Sequence, residues 1–522
     1  MRWPFVLWIA CAAMALTGCS LPPLGTRTSS HALPTTEGLQ TALGNSIAKQ
    51  AAMDGADPTH TGLYTLQDAQ EAFAARALLA RMAQRTLDVQ YYIWRNDKTG
   101  QLLLHELIDV ADRGVRVRLL LDDGGTSNLD NELRSLATHP HIEVRLFNPF
   151  VQRGWIKPLG YVTHFPRTNR RMHNKSFTAD NQASIVGGRN VGNEYFGATD
   201  GVLFADLDVV AVGATVPAIS ADFDLYWASP MAYPVERMVT GAPQLPLEQL
   251  RSEGDALMAS AAALEYRAAI EKTPFVQHLD AGQLPLLWAP AQLISDIPEK
   301  AKGKANDEDL IGAQMAKALG TPNAQLDLVS PYFVPTKKGT DYFSQLSRQG
   351  IQVRILTNAL EATDVAIVHS GYAKYRRPLL EAGVQLFEMR RSTPEYAEDD
   401  IRLRHKLSAL GSSGSSLHAK TFAADGQRVF IGSFNFDPRS MNLNTEMGLM
   451  VQSPELAQRV HDSFARSVPE NAYRLTLDAQ GTMLWHSGVG HPPPVYSTEP
   501  QTKWHQRALL WLLGKLPIEW LL

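Results

Sequence analysis

Residues 173–180 read HNKSFTAD, and residues 418–425 read HAKTFAAD. Both stretches contain a histidine, a lysine two residues later and an aspartate seven residues after the histidine. Alternate side chains of a β-strand lie on one face, so each histidine and its lysine are expected to point the same way. The residues around each aspartate favour a hairpin turn, which predicts a second strand running back antiparallel. Each stretch is therefore predicted to form a β-hairpin that presents a histidine beside a lysine.

A glycine-rich turn that ends in asparagine follows each hairpin. Residues 187–190 read GGRN, and residues 432–435 read GSFN. The backbone N–H groups of such a turn, together with the asparagine, are suited to a small anion. The candidate anion-binding residues are Gly188, Asn190, Ser433 and Asn435. A lone histidine or lysine on a strand is usually structural or solvated, but identical spacing in two places favours a shared function.

The duplication extends through the residues before each hairpin. Three strand-like segments of the first half recur in the same order in the second: 87–94 with 326–333, 114–121 with 350–356, and 144–147 with 384–387. Helix-like stretches separate these segments, and alternating strands and helices indicate the α/β class. We predict two duplicated α/β lobes, each a mixed sheet flanked by helices, with the active site at their interface.

Composition excludes several other classes of protein. The 522 residues include 49 Lys and Arg against 53 Asp and Glu, a net charge of −4. Proteins that grip nucleic acid usually carry a basic surface, so no nucleic-acid partner is expected. The two cysteines, Cys11 and Cys19, are too few for a disulfide framework or a cysteine-based zinc site.

The N-terminus is predicted to be a targeting segment. Arg2 precedes an apolar run over residues 5–15 that is too short to span a bilayer comfortably. Residues 16–19 read LTGC, which resembles the bacterial lipobox, in which the cysteine (here Cys19) is lipidated and becomes the first mature residue. Serine follows the cysteine, and the resemblance then implies a periplasm-facing lipoprotein anchored in the outer membrane. An ordinary signal peptide that contains a cysteine is the alternative.

Two histidines, two lysines and two asparagines in one pocket suit a phosphodiester substrate. The lysines and the asparagine amides would neutralise the phosphoryl oxygens and stabilise charge in the transition state. A neutral imidazole can attack phosphorus, and a protonated one can donate to the leaving alkoxide. Because lysine already supplies positive charge, we expect neither a metal ion nor another cofactor.

The doubled H-x-K-x4-D pattern, each copy followed by a turn of the form Gly-(Gly or Ser)-x-Asn, resembles the signature of the phospholipase D superfamily. Over residues 63–522 the chain is also similar to the bacterial cardiolipin synthase C group, most clearly at 87–94, 160–196, 416–448 and 516–522. This resemblance implies a phosphatidyltransferase with a covalent phosphatidyl-histidine intermediate. The implied donor is phosphatidylethanolamine and the acceptor is phosphatidylglycerol, giving cardiolipin and ethanolamine.

The same resemblance implies roles for particular residues. Six residues would be catalytic: His173, Lys175, Asp180, His418, Lys420 and Asp425. Phosphate would be held by Lys175, Lys420, Asn190 and Asn435. We favour His173 as the nucleophile, and the two aspartates could instead be plain turn formers. A carboxylate beyond each motif, Asp206 or Glu446, would fix a histidine tautomer. Gly188 stands where the second half has Ser433, so one hydroxyl contact to phosphate would be missing.

We predict six segments along the chain. They are a lipoprotein signal peptide (1–18), a flexible tether (19–62), a first lobe (63–240), an inter-lobe insertion (241–310), a second lobe (311–475) and a C-terminal extension (476–522). The tether is rich in Pro, Thr, Ser and Gly. Within the extension, residues 503–516 mix Trp and Leu with Lys and Arg, which is typical of an amphipathic helix that contacts a membrane. A helix docked on the protein core is the alternative.

Three other functions stay open from the sequence. A phospholipase D hydrolase would use the same intermediate and release phosphatidic acid to water. A nucleic-acid phosphodiesterase is disfavoured by the net charge and the apolar C-terminus. A non-catalytic membrane-tethered binding protein ranks last, because both motif histidines are intact. The expected partners are membrane phospholipids, while the donor lipid, the oligomeric state and any helper protein are left open.

Overall fold

The computed structural model describes residues 20–198, 203–280, 282, 284–391, 415–490 and 492–522. These residues form two large β-sheets, of nine and ten strands, and one small sheet of two strands. Each large sheet is built from one half of the chain and is flanked by helices. The two-lobed mixed α/β architecture predicted from the duplication is therefore present.

The first sheet contains parallel strands at its centre. The strands of the first half are β1 (Thr61–Leu66), β2 (Thr86–Ile93), β3 (Arg116–Gly125), β4 (Ile142–Phe147), β5 (Ser176–Ala179), β6 (Ala183–Gly187), β7 (Leu203–Ala205), β8 (Asp208–Gly213), β9 (Ala232–Pro234) and β10 (Leu287–Ala289). All except β7 form the first sheet, in the order β10-β1-β8-β6-β5-β2-β3-β4-β9. Strands β2, β3 and β4 are parallel, whereas β5 and β6 form the predicted hairpin and run antiparallel.

Helices connect these strands and cover the sheet. They are α1 (Thr35–Gly38), α2 (Ala42–Met53), α3 (Ala69–Met82), α4 (Lys98–Asp112), α5 (Asp130–Leu136), α6 (Gly160–Thr163), α7 (Phe165–Thr168), α8 (Asn193–Phe196), α9 (Val216–Ala228), α10 (Val235–Met238), α11 (Leu247–Met258), α12 (Ala261–Ile270) and α13 (Pro274–Asp280). A 3₁₀ turn, Gly154–Leu159, precedes α6.

Helix α4 illustrates how the sequence sets these boundaries. The Asp97 side chain caps its first turn by accepting from the Gly100 N–H. Just beyond its last residue, Gly114 adopts a φ of 87°, which ends the helix at little steric cost. Residues 117–121, apolar apart from Arg118, then enter the sheet as part of β3, where both faces of the strand are buried.

The second half repeats the same topology. Its strands are β11 (Ala291–Ser295), β12 (Gln325–Val329), β13 (Gln352–Asn358), β14 (Gln385–Met389), β15 (Ser415–Leu417), β16 (Thr421–Ala424), β17 (Arg428–Gly432), β18 (Met447–Gln452), β19 (Ala472–Leu477), β20 (Met483–Ser487) and β21 (Val495–Tyr496). The second sheet runs β11-β18-β17-β16-β12-β13-β14-β19-β20-β21. Its first eight strands follow the order of β1-β8-β6-β5-β2-β3-β4-β9, so the duplication covers eight strands.

The helices of the second half follow the same logic. They are α14 (Ile311–Leu319), α15 (Thr336–Arg348), α16 (Ala366–Ala373), α17 (Arg376–Glu381), α18 (Pro438–Asn442), α19 (Pro454–Ala465), α20 (Ser467–Asn471) and α21 (Trp504–Leu513). Short 3₁₀ turns occur at Pro298–Lys302, Asp307–Asp309 and Glu519–Leu521.

The two lobes share an apolar core. Side chains from β6 and β8 of the first sheet pack against β17 and β18 of the second. This inter-lobe cluster includes Val186, Val209, Ala211, Val429, Ile431, Leu449 and Val451, each almost fully buried. Burial of such side chains stabilises the pair of lobes by about 1.5–3 kcal/mol for each large residue. The hairpins of both motifs, β5–β6 and β16–β17, are thereby held on a common interface.

Three predicted boundaries are corrected by the structure. Strand β11 is the counterpart of β1, so the second lobe begins at Ala291 and not at residue 311. Residues 241–310 are not a separate insertion, because α11 to α13 pack on α3 and α4 and β10 extends the first sheet. The second lobe also runs past residue 475, since β19 ends at Leu477 and β20 and β21 continue its sheet.

The predicted flexible tether is also wrong for residues 20–62. This segment contains α1 and α2 and lies against the first lobe. The buried guanidinium of Arg118 donates to the Ser30 carbonyl, and that of Arg145 donates to the Thr28 carbonyl. The Trp227 indole N–H also donates to Ser30. The proposed signal peptide and Cys19 lie outside the described residues.

Candidate active site

The two motif histidines lie where the lobes exchange backbone hydrogen bonds. The His173 N–H donates to the Thr445 carbonyl of the second half at 2.8 Å. The His418 N–H donates to the Ala205 carbonyl of the first half at 2.7 Å, and β15 pairs parallel with β7 just before it. Each histidine is therefore fixed by a segment of the opposite lobe.

The carboxylates that orient the histidines are also crossed between the lobes. His173 Nδ1 lies 2.6 Å from Glu446 Oε2, and His418 Nδ1 lies 2.5 Å from Asp206 Oδ2. With each Nδ1–H donated to a carboxylate, Nε2 becomes the nitrogen suited to chemistry on a substrate. The structure thus brings Asp206 and Glu446 to the histidines, as the resemblance implied, and makes each pair depend on both lobes.

The two motif lysines are buried beside the histidines. Lys175 Nζ donates to the His173 carbonyl at 2.6 Å, and Lys420 Nζ donates to the His418 carbonyl. Burial lowers the pKa of the Lys175 ammonium to about 7 and also lowers the pKa of Lys420. The charges of both lysines act on both histidines, so the four groups share one site.

The two histidine–carboxylate pairs differ electrostatically. Burial raises the pKa of the Glu446 carboxyl to about 7, and the charge of Lys175 offsets this effect only in part. Burial also opposes ionisation of Asp206, but the charges of Lys420 and His418 outweigh it and hold the Asp206 pKa below its usual value. Asp206 is therefore a permanent anion near neutral pH, whereas Glu446 is close to its own titration point.

Burial keeps both imidazoles predominantly neutral. It lowers the pKa of His173 well below its usual value, and the nearby charges of Lys175 and Lys420 add to this effect. Burial and Lys420 also lower the pKa of His418, but Asp206 opposes them by favouring the protonated imidazole. His418 is consequently the histidine with the stronger support for carrying a proton.

Aromatic rings and the two asparagines complete the site. Tyr92 meets the His173 ring edge-on at 5.0 Å between centroids, and Tyr195 meets His418 in the same way at 5.3 Å. Asn190 accepts from the Ile93 N–H and donates to the hydroxyl of Tyr195, so it positions the ring that contacts His418. Among the described residues, the buried Oδ1 of Asn435 has no hydrogen-bond partner.

Asp180 and Asp425 are corrected from catalytic residues to turn-forming residues. Asp180 accepts from the backbone N–H groups of residues 84–86, and Asp425 accepts from those of residues 323–325. Both aspartates adopt a positive φ at the hairpin turn, at the end of the strand remote from the histidine. Each aspartate therefore ties its hairpin to the start of the neighbouring strand and does not reach the reacting groups.

The Gly188–Ser433 difference has a structural cause. The Ser433 hydroxyl donates to Glu446 Oε2 at 2.5 Å, so it supports the carboxylate and is not directed to phosphate as predicted. A Cβ atom at position 188 would lie 2.2 Å from Asp206 Oδ1, and only glycine leaves room for that shorter carboxylate. The two halves thus pair serine with glutamate and glycine with aspartate.

Three supporting residues are not apparent from the motifs. The Ser440 hydroxyl donates to Glu446 Oε1 at 2.9 Å, and Asp296 accepts from the Glu446 backbone N–H at 2.9 Å. Lys300 forms a buried ion pair with Asp296 at 2.7 Å, although its basic surroundings in the sequence suggest a solvated loop. The sequence indicates this ion pair only through the four-residue spacing of Asp296 and Lys300, directly after strand β11.

Comparison with known proteins agrees with this geometry. Residues 78–216 and 315–468 match the family described as "Cardiolipin synthase, PLD-like domain". The chain belongs to this phospholipase D-like family. It is 45% identical over 465 residues to cardiolipin synthase C of Escherichia coli (strain K12), covering 89% of this chain and 97% of that protein. The predicted resemblance and the enzyme class, a phosphatidyltransferase of the phospholipase D type, are thereby confirmed.

More distant relatives support the same fold. A cardiolipin synthase of Geobacillus thermodenitrificans is 26% identical over 406 residues, covering 76% of this chain and 64% of that protein. The crystal structure of phosphatidylserine synthase from Haemophilus influenzae Rd KW20 superposes with a TM-score of 0.56 at 14% identity, covering 91% of this chain and all of that chain. This likeness confirms the duplicated two-lobe architecture of the family.

Proposed function

We propose that this protein is a cardiolipin synthase that transfers a phosphatidyl group to phosphatidylglycerol through a covalent phosphohistidine. The observation that carries the proposal is the crossed pair of histidines, His173 on Glu446 and His418 on Asp206, in one buried, lysine-rich site. Family membership and the relative named cardiolipin synthase C support the choice of product. The proposed donor is phosphatidylethanolamine.

The first half-reaction transfers the phosphatidyl group to the enzyme. Neutral His173 attacks phosphorus through Nε2, forming a P–N bond as the bond from phosphorus to the ethanolamine oxygen breaks. Protonated His418 donates its Nε2 proton to that oxygen, and ethanolamine leaves as the neutral alcohol. The lowered pKa of His173 keeps its imidazole neutral and able to attack, while the Asp206 carboxylate stabilises the imidazolium of His418.

The second half-reaction returns both histidines to their starting state. Now neutral, His418 accepts the proton of a glycerol hydroxyl of phosphatidylglycerol. That oxygen attacks phosphorus, the P–N bond to His173 breaks, and cardiolipin is released. Water entering at this step would yield phosphatidic acid, so a transferase requires that the acceptor lipid occupy the site before water does.

The two lysines stabilise the negative charge that develops on the phosphoryl oxygens. Lys175 and Lys420 are buried and held in place by the histidine carbonyls, so little reorganisation is needed when the phosphoryl oxygens gain charge. Their depressed pKa values also mean that an arriving phosphate anion raises their protonation. The free energy of substrate binding is thereby coupled to charging of the site.

The proposal includes attachment to a membrane. We propose that Cys19 is lipidated after removal of residues 1–18 and that the mature protein faces the periplasm on the outer membrane. Helix α21 supports a second attachment, because Trp504 and Trp511 point to solvent while the helix packs on α16. Among the described residues, no helix is both long and apolar enough to cross a bilayer.

Product analysis tests the function. Purified enzyme is incubated in mixed micelles of phosphatidylethanolamine and phosphatidylglycerol, with labelled acyl chains on the latter, and lipids are identified by mass spectrometry. Cardiolipin with released ethanolamine supports the proposal. Cardiolipin with released glycerol and no need for phosphatidylethanolamine overturns the donor, and phosphatidic acid alone replaces the transferase with a hydrolase.

Variants assign the two histidines. A phosphatidyl ester with a good leaving group such as p-nitrophenol needs little general acid catalysis. His418→Asn is expected to accumulate radiolabelled phosphatidyl-enzyme from this ester, whereas His173→Asn is expected to show none. His278→Asn, at an exposed histidine outside the site, is the matched control. Labelling of His173→Asn but not His418→Asn would reverse the two roles.

A further inference from the structure

Two stretches from distant parts of the chain expose large apolar side chains. Residues 154–165 join β4 to the first motif, and Trp155 and Val162 within them are 92% and 78% exposed. Residues 504–520 lie near the C-terminus, and Trp504 is 75% exposed. Soluble proteins rarely leave several large apolar groups together in water, so such patches mark contact surfaces.

The two stretches meet across the lobes. The rings of Phe165 and Trp520 lie 6.4 Å apart, edge to face. Arg439 on α18 links the segments that directly follow the two stretches, because its guanidinium donates both to the Asn169 carbonyl and to the Leu521 carbonyl. We call the combined residues 154–165 and 504–520 the apolar platform.

The apolar platform adjoins the active site. Tyr92, which contacts the His173 ring, has a pKa raised to about 12 by burial, and Tyr161 and Arg439 are close enough to influence that pKa. Ser440, next to Arg439 in the chain, donates to Glu446. A molecule seated on the platform would thus approach the side of the pocket that holds His173.

The base of the platform is held firmly, although its outer side chains are exposed. The buried Asp123 carboxylate accepts from Lys157 within the first stretch and from Arg153 just before it. At the other end, Glu519 accepts from the Tyr375 hydroxyl at 2.8 Å. These anchors present the exposed tryptophans at fixed positions, as a binding surface requires.

Charge indicates what the apolar platform contacts. The apolar platform contains three Lys or Arg and one acidic residue, Glu519, and Arg167 and Lys503 flank it, in a chain whose net charge is −4. Apolar and aromatic side chains flanked by cations are complementary to a bilayer that carries anionic phospholipids. In a symmetric contact with a second copy of the chain, the same cations would face one another, which disfavours that occupant.

We propose that residues 154–165 and 504–520, contributed by both lobes, form one docking surface for an anionic phospholipid bilayer beside the His173 side of the active site. The inference rests on the proposed function for what the surface delivers, a membrane lipid. Docking itself is a separate property, so it can be measured without turnover. The first lobe would thereby contribute a membrane contact of its own, in addition to the contact made by helix α21.

Site-directed fluorescence tests the proposal on the full chain in vesicles of phosphatidylethanolamine and phosphatidylglycerol. Val162→Cys and Leu512→Cys place an environment-sensitive probe on each stretch, and Leu264→Cys, a similarly exposed leucine on α12, is the matched control. The protein without these substitutions measures labelling of the native cysteines. We expect nitroxide-bearing lipids to quench the first two probes several-fold more than the control. Equal quenching at all three positions, or quenching at only one stretch, overturns the single surface.

Activity separates the docking surface from the reaction. Val162→Asp with Leu512→Asp is expected to lower turnover of vesicle lipid by about tenfold or more, because charge opposes burial in the bilayer, and to leave turnover of dispersed short-chain lipid unchanged. Leu264→Asp should change neither rate. Equal loss on both substrates contradicts docking. Probe shifts that depend on protein concentration without lipid would assign the surface to self-association. Quenching without any cardiolipin production would retain the surface and reject the proposed function.

Discussion

Replacing Glu446 with glutamine tests the electrostatic asymmetry of the site directly. The Glu446 carboxyl is fully buried, and burial raises its pKa from 4.5 to about 7. Since each tenfold change in an acid dissociation constant is worth about 1.4 kcal/mol, ionised Glu446 costs the folded protein about 3 kcal/mol. Glutamine has nearly the same shape, remains neutral at every pH and avoids this cost.

The sign of the effect follows from proton binding. Between about pH 4.5 and pH 7 the folded protein holds a proton on Glu446 that the unfolded chain releases, so the wild-type protein loses stability as the pH rises through this range. The stabilisation of Glu446→Gln relative to wild type should therefore grow by about 2–3 kcal/mol from about pH 5 to about pH 8. Turnover should fall by about 100-fold or more, because His173 loses its anionic partner.

Asp206→Asn is the matched control and should behave differently. The pKa of Asp206 is already below its usual value, so its contribution to stability is fully present above the unfolded pKa and is lost only as the pH falls through the folded pKa. From about pH 5 to about pH 8 this variant should be less stable than wild type by a constant amount. It should also be impaired in turnover, most strongly for poor leaving groups, because Asp206 supports protonated His418.

The assay combines urea unfolding, followed by tryptophan fluorescence at several pH values, with initial rates of cardiolipin formation on the same samples. A stability difference for Glu446→Gln that stays flat or shrinks as the pH rises would refute the raised pKa of Glu446. The same pH slope in both variants would refute the asymmetry between the two pairs.

Three further outcomes follow from the site. Asp425→Asn should lower the free energy of unfolding by about 1–3 kcal/mol, because it replaces a carboxylate that accepts hydrogen bonds from three backbone N–H groups. Urea unfolding curves measure this difference. A tenfold loss of turnover in fully folded protein would contradict the turn-forming role of Asp425. Gly188→Ser should reduce initial rates by about tenfold or more, since its Cβ would displace Asp206 from His418, and a wild-type rate would show that the carboxylate has room. Activity should be fully retained in excess chelator, because Lys175 and Lys420 supply the positive charge, and loss that added metal restores would contradict this assignment.

Local pattern predicted the lobes and the hairpins well. The period of two and the turn residues of each motif define β5–β6 and β16–β17, and the repeated order of elements predicted the mixed sheets. The crossing of the carboxylates could not be read in the same way. Asp206 is 212 residues from His418, and nothing local to either residue shows that β7 will pair with β15. Such contacts are decided by how the lobes pack.

The N-terminal segment was misjudged for a related reason. Residues 20–62 look like a linker because they are rich in Pro, Thr and Ser. In the structure, backbone carbonyls of this segment accept hydrogen bonds from the buried guanidinium groups of Arg118 and Arg145. Every residue type carries a carbonyl, so the sequence of the segment holds no sign of this role. The better sign is the presence of Arg118 and Arg145 among the apolar residues at the centres of β3 and β4, because a buried guanidinium requires acceptors.

Duplication gives the site two equivalent histidines, whereas the proposed reaction needs one neutral and one protonated. One departure between the halves involves the groups beside the histidines: Ser433 with Glu446 in the second half, and Gly188 with Asp206 in the first. Glycine brings the shorter carboxylate close enough to stay ionised beside His418, while a longer, serine-bonded carboxyl beside His173 titrates near neutrality. An arriving phosphate anion then favours protonation at His418, where the partner is already charged. The break in symmetry therefore lies where the two roles must diverge, which is the structural reason to assign attack to His173.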